Sequence, residues 1–160
     1  MFKIWKKIPP PKHKNIKSLM AHLKKNKVIL SPWIENIYQN KINNIILTKK
    51  TVYLYKVKIK NLGFKKPATL NKIYRKIIKN NFRLVNPDVA LRARLFYKNQ
   101  KKGDWLRFAT PMNSMIDTDG VPHLPKLGSA LNKNFIETYW AYKGAIFHPH
   151  NEFVVSKYDF

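Results

Sequence analysis

The sequence predicts an α+β fold, a small mixed domain in which a helix pair is flanked by β-strands, preceded by a basic N-terminal extension. Three observations lead to this prediction. Apolar residues recur with a helical period in some segments, they alternate with polar residues in others, and basic residues are concentrated in the first half of the 160-residue chain. We expect residues 1–14 to form an extended basic arm, residues 15–61 a basic extension of helices and strands, and residues 62–160 the α+β domain.

Two helices are predicted in the extension. Residues 15–26 place apolar side chains at i, i+3, i+4 and i+7, which predicts an amphipathic helix. Ser31 and Pro32 then supply a capping side chain and a favourable first residue for a second, shorter helix.

Two strands are predicted next, over residues 45–48 and 51–60, joined as a hairpin through Lys49-Lys50. The second strand alternates apolar and basic residues, which would place three lysines on one face at intervals of about 6.6–7 Å. This lysine comb consists of Lys56, Lys58 and Lys60. Its spacing resembles that of phosphates along a nucleic-acid strand. The alternative is a solvated edge strand, where lysine blocks aggregation.

Two further helices are predicted behind the caps Thr69 and Asn86, and a strand over residues 105–110 follows them. This order is compatible with a winged helix, so we predict a helix-turn-helix-like pair with basic outer faces. The alternative is that the pair serves only the core. The basic residues expected on its outer faces are Lys72, Arg75, Lys76, Lys79, Arg94 and Lys98.

The remaining residues are rich in loops. Asp119-Gly120 predicts a turn, and the two prolines in residues 121–125 predict an extended or irregular segment. Closing strands are expected over residues 136–142 and 152–160.

The part of the chain from residue 62 onwards resembles an uncharacterised bacterial protein family with the pattern LGF…AT…P-E-V…LRL-x-Y…G-E-W-L…D-S-D-G-x-P. The matching words are Leu62-Gly63-Phe64, Ala68-Thr69, Pro87-Asp88-Val89, Leu91-Arg92, Leu95-Phe96-Tyr97, Gly103-Asp104-Trp105-Leu106 and Asp117-Thr118-Asp119-Gly120-Val121-Pro122. The chain departs from the pattern by being more basic, with Arg94 as one example. The resemblance implies that residues 62–160 form one unit and residues 1–61 an addition. It implies no activity, ligand or catalytic residue.

Two groups of side chains could support metal chemistry. On an extended strand His148, His150 and Glu152 would share a face and form a 2-His-1-carboxylate set for a divalent ion, with His123 as a fourth ligand. Asp117 and Asp119 resemble one edge of a two-metal nuclease site, although a simple turn is the alternative. The alternative catalytic set is Asp117, Asp119, His148, His150 and Glu152.

The composition makes a polyanion the expected partner. The chain has 32 Lys and Arg against 8 Asp and Glu, a formal net charge of +24, and residues 1–80 contain one acid, Glu35. A positive charge of this size attracts nucleic acid first and an anionic membrane surface second. The chain has no cysteine, which excludes disulfides and cysteine metal sites. We expect neither a membrane-spanning segment nor a secretory signal.

We therefore expect a nucleic-acid-binding protein that contacts mainly phosphates, with RNA slightly favoured over DNA. It would act without a cofactor, in the cytoplasm or an organelle matrix, as part of a ribonucleoprotein or a larger nucleoprotein assembly. Besides the comb and the helix pair, the expected contacts are Lys6, Lys7, Lys12, Lys14, Lys24 and Lys25. Exposed aromatic residues among these lysines would stack on unpaired bases, but Trp33 and Tyr55 are expected to be buried.

Two other functions remain open at this level. The first is a small metal-dependent nuclease or toxin that uses the alternative catalytic set. The second is a protein that binds anionic membrane surfaces through the N-terminal arm and the helix over residues 15–26.

Overall fold

A computed structural model describes residues 2–158, and it confirms the predicted α+β class. The strands in this range are β1 (Ile4–Ile8), β2 (Ile29–Leu30), β3 (Val52–Lys58), β4 (Ala68–Thr69), β5 (Trp105–Phe108), β6 (His123–Ala130), β7 (Lys133–Trp140), β8 (Ile146–Phe147) and β9 (Glu152–Tyr158). The helices are α1 (Ile16–Lys25), α2 (Pro32–Gln39), α3 (Leu70–Lys79) and α4 (Pro87–Phe96). Short 3-10 turns cover Lys41–Asn43 and Ile59–Leu62.

Seven of these strands form one mixed sheet in the order β1-β3-β9-β5-β6-β7-β2. β9 pairs antiparallel with β3 and parallel with β5, so it connects the N-terminal strands to the remainder of the sheet. β5, β6 and β7 form an antiparallel meander, and β2 adds parallel to β7. β4 and β8 make a separate two-stranded sheet.

The main sheet has a hydrophobic core on each face. Phe153, Val154 and Val155 in β9 are all buried, although consecutive side chains of a strand point to opposite sides. Val154 packs with residues of α1, α2 and α4, whereas Phe153 and Val155 pack with residues of α3. We call the two sides of the sheet the three-helix face and the α3 face.

The helix starts predicted after Ser31, Thr69 and Asn86 are confirmed, although the Asn86 side chain makes no capping hydrogen bond. The start of α1 has a cap that was not predicted. The Asn15 side chain accepts a hydrogen bond from the Ser18 backbone N–H at 2.9 Å, and the Ser18 hydroxyl accepts one from the Asn15 N–H, which completes a capping box for α1. The Ser31 hydroxyl accepts from the Ile34 N–H at 3.2 Å and caps α2.

α3 and α4 do not form a helix-turn-helix pair. Both helices lie where they were predicted, but they pack on opposite faces of the sheet. The connection between them passes from one face to the other, since Phe82 belongs to the α3 core and Val85 to the three-helix core. An isolated bridge between Arg83 and Ser156 fixes this crossing against β9. The winged-helix comparison is therefore wrong.

The N-terminal segments are built into the sheet. β1 pairs with β3 along its length, and buried Ile8 and Leu19 share a core with Phe108 and Val154. The predicted boundary between an extension and a domain beginning at residue 62 has no counterpart in this sheet, because strands from both sides of that boundary pair directly.

The predicted strand over residues 45–48 is absent, and the hairpin through Lys49-Lys50 is not formed. The backbone N–H and the hydroxyl of Thr48 both donate to the buried carboxylate of Asp88, each at 2.7 Å. The segment is thus held by a side chain instead of a neighbouring strand, and it borders a cavity of about 850 Å³.

β6 was not predicted as a strand, because the two prolines of residues 121–125 predicted only an extended or irregular segment. Pro125 lies beyond the part of β6 that pairs with β5, so its missing N–H costs no bond on that side. Gly128 lies opposite Trp105, whose ring covers it. A β-carbon at position 128 would lie at most 2.5 Å from three ring carbons of Trp105.

Gly128→Ala is therefore expected to displace the Trp105 ring and to lower the free energy of unfolding by about 1–3 kcal/mol, as overpacked sites do. Urea denaturation followed by tryptophan fluorescence measures this. Gly144→Ala is the matched control, because a β-carbon there meets no heavy atom within 4 Å. Equal unfolding midpoints for the two variants would contradict the packing described here.

Candidate nucleic-acid interface

Four of the predicted contact residues form a continuous basic stripe along α3. Leu70, Ile73, Tyr74 and Ile77 are buried, which directs the opposite side of the helix to solvent. The stripe comprises Lys72, Arg75, Lys76 and Lys79, at i, i+3, i+4 and i+7. The seven residue-to-residue steps from Lys72 to Lys79 give it a length of about 10 Å.

Neighbouring segments extend this stripe. The Asn71 N–H donates to the Lys143 carbonyl at 3.1 Å, which places Lys143 beside the start of α3. Gly63 lies close to Lys76, since a β-carbon there would be 3.7 Å from the Lys76 Cε. We define the α3 basic face as Lys60, Lys65, Lys66, Lys72, Arg75, Lys76, Lys79 and Lys143. The chain has no acidic residue between Glu35 and Asp88, so most of this face comes from a segment without negative charge.

The lysine comb is not formed. β3 ends at Lys58, and Lys60 lies in the 3-10 turn that follows. The Lys56 ammonium lies 4.9 Å from the ring centre of Trp5 and 5.4 Å from that of Tyr97, so it contacts rings within the protein. Lys58 is exposed and pairs in register with Glu152.

The other predicted lysines are spread over the molecule. The Lys6 ammonium also lies over Trp5 and Tyr97, and that of Lys7 over Tyr53. Lys24 forms an ion pair with Glu35. The remaining exposed members are Lys12, Lys14, Lys25 and Lys98. Of the predicted set, only Lys60 and the α3 stripe contribute to the α3 basic face.

Arg94 was predicted to lie on an outer face of the helix pair, and this is wrong because the residue is only 1% exposed. Its guanidinium donates to the Gln100 side chain at 2.7 Å, to the Gly128 carbonyl at 3.2 Å and to the Tyr97 carbonyl. Burial lowers the pKa of Arg94 to about 10, so it remains charged at neutral pH. Arg94 thus ties the end of α4 to the sheet.

We expect Arg94→Met to lower the free energy of unfolding by about 3 kcal/mol, because several buried acceptors lose a charged donor. Lys98→Met, on an exposed residue just beyond the same helix, should change it by less than about 0.5 kcal/mol. Urea denaturation compares the two variants. A similar loss in both would show that Arg94 is not the anchor inferred here.

The predicted metal ligands do not assemble. β8 ends at Phe147 and residues 148–151 form a turn, closed by the Asn151 N–H donating to the His148 carbonyl at 2.9 Å. The rings of His148 and His150 stack with centres 5.7 Å apart on the surface, and Glu152 begins the next strand. Within residues 2–158 no group of three His, Asp or Glu side chains could hold a metal ion. The turn at Pro149 is the reason that the three predicted ligands do not share a strand face.

Asp117, a member of the alternative catalytic set, organises a turn and contacts a histidine. One carboxylate oxygen accepts hydrogen bonds from the N–H groups of Asp119 and Val121, and the other lies 2.8 Å from Nε2 of His123. The predicted turn at Gly120 is confirmed, with φ +80° at the glycine. Asp119 itself is exposed.

His123 lies within a row of aromatic rings at one end of the sheet. Its ring stacks on Trp33 at 5.7 Å and contacts Trp140 at 5.3 Å, and Trp140 stacks on Tyr142 at 6.2 Å. His123 is only 2% exposed, so it is not placed to act on a substrate. Trp33 is 45% exposed, and the expectation that it is buried is wrong.

Burial acts to raise the pKa of Asp117, but hydrogen bonds from His123, Val121 and Asp119 outweigh it and hold the pKa below its ordinary value. A carboxyl whose folded pKa is depressed stabilises the fold above its unfolded pKa, near 3.9, and loses that contribution as the pH falls through the folded value.

Asp117→Asn should therefore lower the free energy of unfolding at pH 7 by about 1–3 kcal/mol. The difference from the unmodified protein should narrow as the pH falls below about 4. Urea titrations at a series of pH values measure it, with the exposed Asp119→Asn as control. A difference that is the same at every pH would exclude the charge as its cause.

A second basic and aromatic group lies on the α3 face of β5, β6 and β7, and the sequence analysis did not single it out. Arg107 in β5 pairs in register with Lys126 in β6. The Arg107 guanidinium lies 4.5 Å from the ring centre of Tyr139, and the Lys126 ammonium lies 4.7 Å from that of Trp105. All four side chains are partly exposed. Their juxtaposition depends on the pairing of β5 and β7 with β6, a strand that was not predicted from the sequence.

No family model matches this chain, and neither a curated protein nor a solved structure matches it. The resemblance to the uncharacterised bacterial family therefore stays a prediction.

In the described part of the chain, no helix has the length and apolar character needed to cross a bilayer. The apolar side of α1 is buried in the three-helix core, through Ile16, Leu19, Met20 and Leu23. This leaves the helix without the free apolar face that the membrane-surface alternative requires.

Proposed function

We propose that this protein binds nucleic acid, mainly through phosphate groups, with RNA favoured slightly over DNA. The observation that supports this most directly is the α3 basic face, eight cationic side chains on adjoining segments that include no acid. A ribonucleoprotein or larger nucleoprotein assembly, located in the cytoplasm or an organelle matrix, is part of the same proposal.

The chemistry of the α3 basic face suits a row of phosphates. Lysine ammonium groups act as flexible point charges, so they neutralise phosphates without reading sequence. Arg75, in the middle of the stripe, is the one guanidinium of the face and is suited to a bidentate phosphate contact. Binding would release condensed counterions from the nucleic acid, which makes the affinity fall steeply as salt rises.

The preference for RNA rests on the second basic and aromatic group, which lies on β5, β6 and β7. An antiparallel sheet that carries partly exposed aromatic and cationic side chains is a surface on which unpaired bases stack, and sequence recognition of RNA mostly involves unpaired segments. Trp105 and Tyr139 occupy such positions on β5 and β7.

Mutual repulsion within the α3 basic face also favours an anionic partner. Like charges on one small surface raise the energy of the free protein, and a polyanion lowers it on binding. Two of the acids in the chain cannot offset this charge at the surface, because they are buried. These are Asp88, which lies beside Arg92, and Asp117, which lies beside His123.

Salt titration tests the proposal. Between about 50 and 200 mM salt, log affinity against log salt should be linear, with a slope near −0.9 for each neutralised duplex phosphate and near −0.7 for each on a single strand. Replacing Lys72, Arg75, Lys76 and Lys79 with Gln should make that slope shallower by about 3.

The control replaces four exposed lysines outside the face, Lys17, Lys41, Lys101 and Lys133, with Gln, which lowers the net charge equally. It should leave the slope nearly unchanged. A flat titration of the unmodified protein would refute nucleic-acid binding through phosphates, and equal slopes for the two quadruple variants would refute the assignment to α3.

A further inference from the structure

Two cations face each other across the middle of the sheet. Arg107 and Lys126 are direct cross-strand partners, and Glu137 lies on the far side of Lys126 in the register. Like charges placed directly opposite each other on neighbouring strands are destabilising. Burial lowers the pKa of Lys126, the nearby Arg107 lowers it further, and Glu137 offsets part of this.

The surroundings of the two cations leave one buried donor without an acceptor. The Arg107 Nε is buried, and no group among residues 2–158 accepts a hydrogen bond from it. The contacts that Arg107 does make are with rings, since its guanidinium lies over Tyr139 and, at 5.9 Å, over Phe147. An anion beside the two cations would offer acceptors to this pair and relieve the repulsion between them.

An aromatic ring is held beside these cations. The Trp105 ring lies on Gly128, where any β-carbon would displace it, so glycine at this position lets the indole lie against the sheet. Lys126 is the residue over that ring, with its ammonium 4.7 Å from the ring centre. When a flexible lysine turns towards an anion, the ring face becomes free for a planar group.

We propose that Arg107 and Lys126 bind a phosphate group of an unpaired RNA strand, and that the base next to this phosphate stacks on Trp105. This deepens the proposed function and rests on it. The same cation pair could also take a free phosphate ion, and the experiment below separates the two.

The geometry selects for an unpaired strand. A base within a duplex is stacked on its neighbours and cannot reach a side chain lying on a sheet, whereas a splayed base can. The phosphates of a duplex remain accessible to the α3 basic face. Single strands should therefore use both sites, and duplexes mainly the α3 basic face.

The test compares a short oligouridine RNA with a blunt RNA duplex, using the full chain and its variants. Lys126→Gln should weaken single-strand binding about tenfold, as expected for loss of a charge-assisted contact, and duplex binding less than twofold. Lys17→Gln, on an exposed residue of α1 that faces away from this site, is the matched charge control and should leave both affinities within about twofold.

The stacking step is tested at Trp105. Trp105→Leu should weaken single-strand binding about tenfold and leave duplex binding unchanged, and Trp105→Phe should restore most of the loss because it restores a ring. Trp140→Leu, at another exposed tryptophan on the same sheet, is the control. Quenching of tryptophan fluorescence by the oligouridine should be reduced in Trp105→Leu and kept in Trp140→Leu.

Each outcome supports or overturns the proposal. Equal losses on single strand and duplex, or no loss in Lys126→Gln and Trp105→Leu, overturn it. Titration with inorganic phosphate is the other arm. If phosphate binding saturates and is lost in Lys126→Gln, while Trp105→Leu leaves RNA binding unchanged, the site belongs to the free ion. If RNA binding depends on the α3 stripe alone, this inference fails and the proposed function stands. If the unmodified protein binds neither RNA, both fail.

Discussion

The burial of β9 on both faces is the constraint on which the rest of the fold depends. β9 pairs with β3 in the middle of the sheet, and both of its faces must be covered by apolar groups. Val154 on one side and Phe153 on the other are both buried. A strand with this character cannot lie at a solvated surface, so helices are required above and below it. α4 supplies the cover on one side and α3 on the other, which is why two helices adjacent in sequence lie on opposite faces.

The distribution of acids follows from the same architecture. Asp88 receives hydrogen bonds from Thr48 and Arg92 in the three-helix core, although burial still raises its pKa. Asp117 organises a turn and contacts His123. Acids that stabilise the interior in this way do little to screen charges outside, so the lysines of the α3 basic face keep an uncompensated field.

Local patterns in the sequence predicted the helices well, because capping residues and a 3.6-residue period are properties of a single segment. They could not show which face of a sheet a helix covers, and the helix-turn-helix prediction failed for that reason. Arg94 was assigned to an outer face, but α4 is buried on nearly every side, so its period carried little information. The site on β5 and β6 was not predicted, because the prolines of residues 121–125 made the start of β6 resemble an irregular segment.

The position of β9 in the sheet has a consequence for how the chain is assembled. Among the described strands β9 is synthesised last, yet β1 and β3 reach the other strands only through it. During synthesis, the edges of β3 and β5 that pair with β9 therefore stay unpaired until residues 152–158 are available. Such edges pair readily with other chains, and lysines along β3 and its surroundings oppose that pairing through repulsion. The positive charge would thus protect the nascent protein before it serves any mature role.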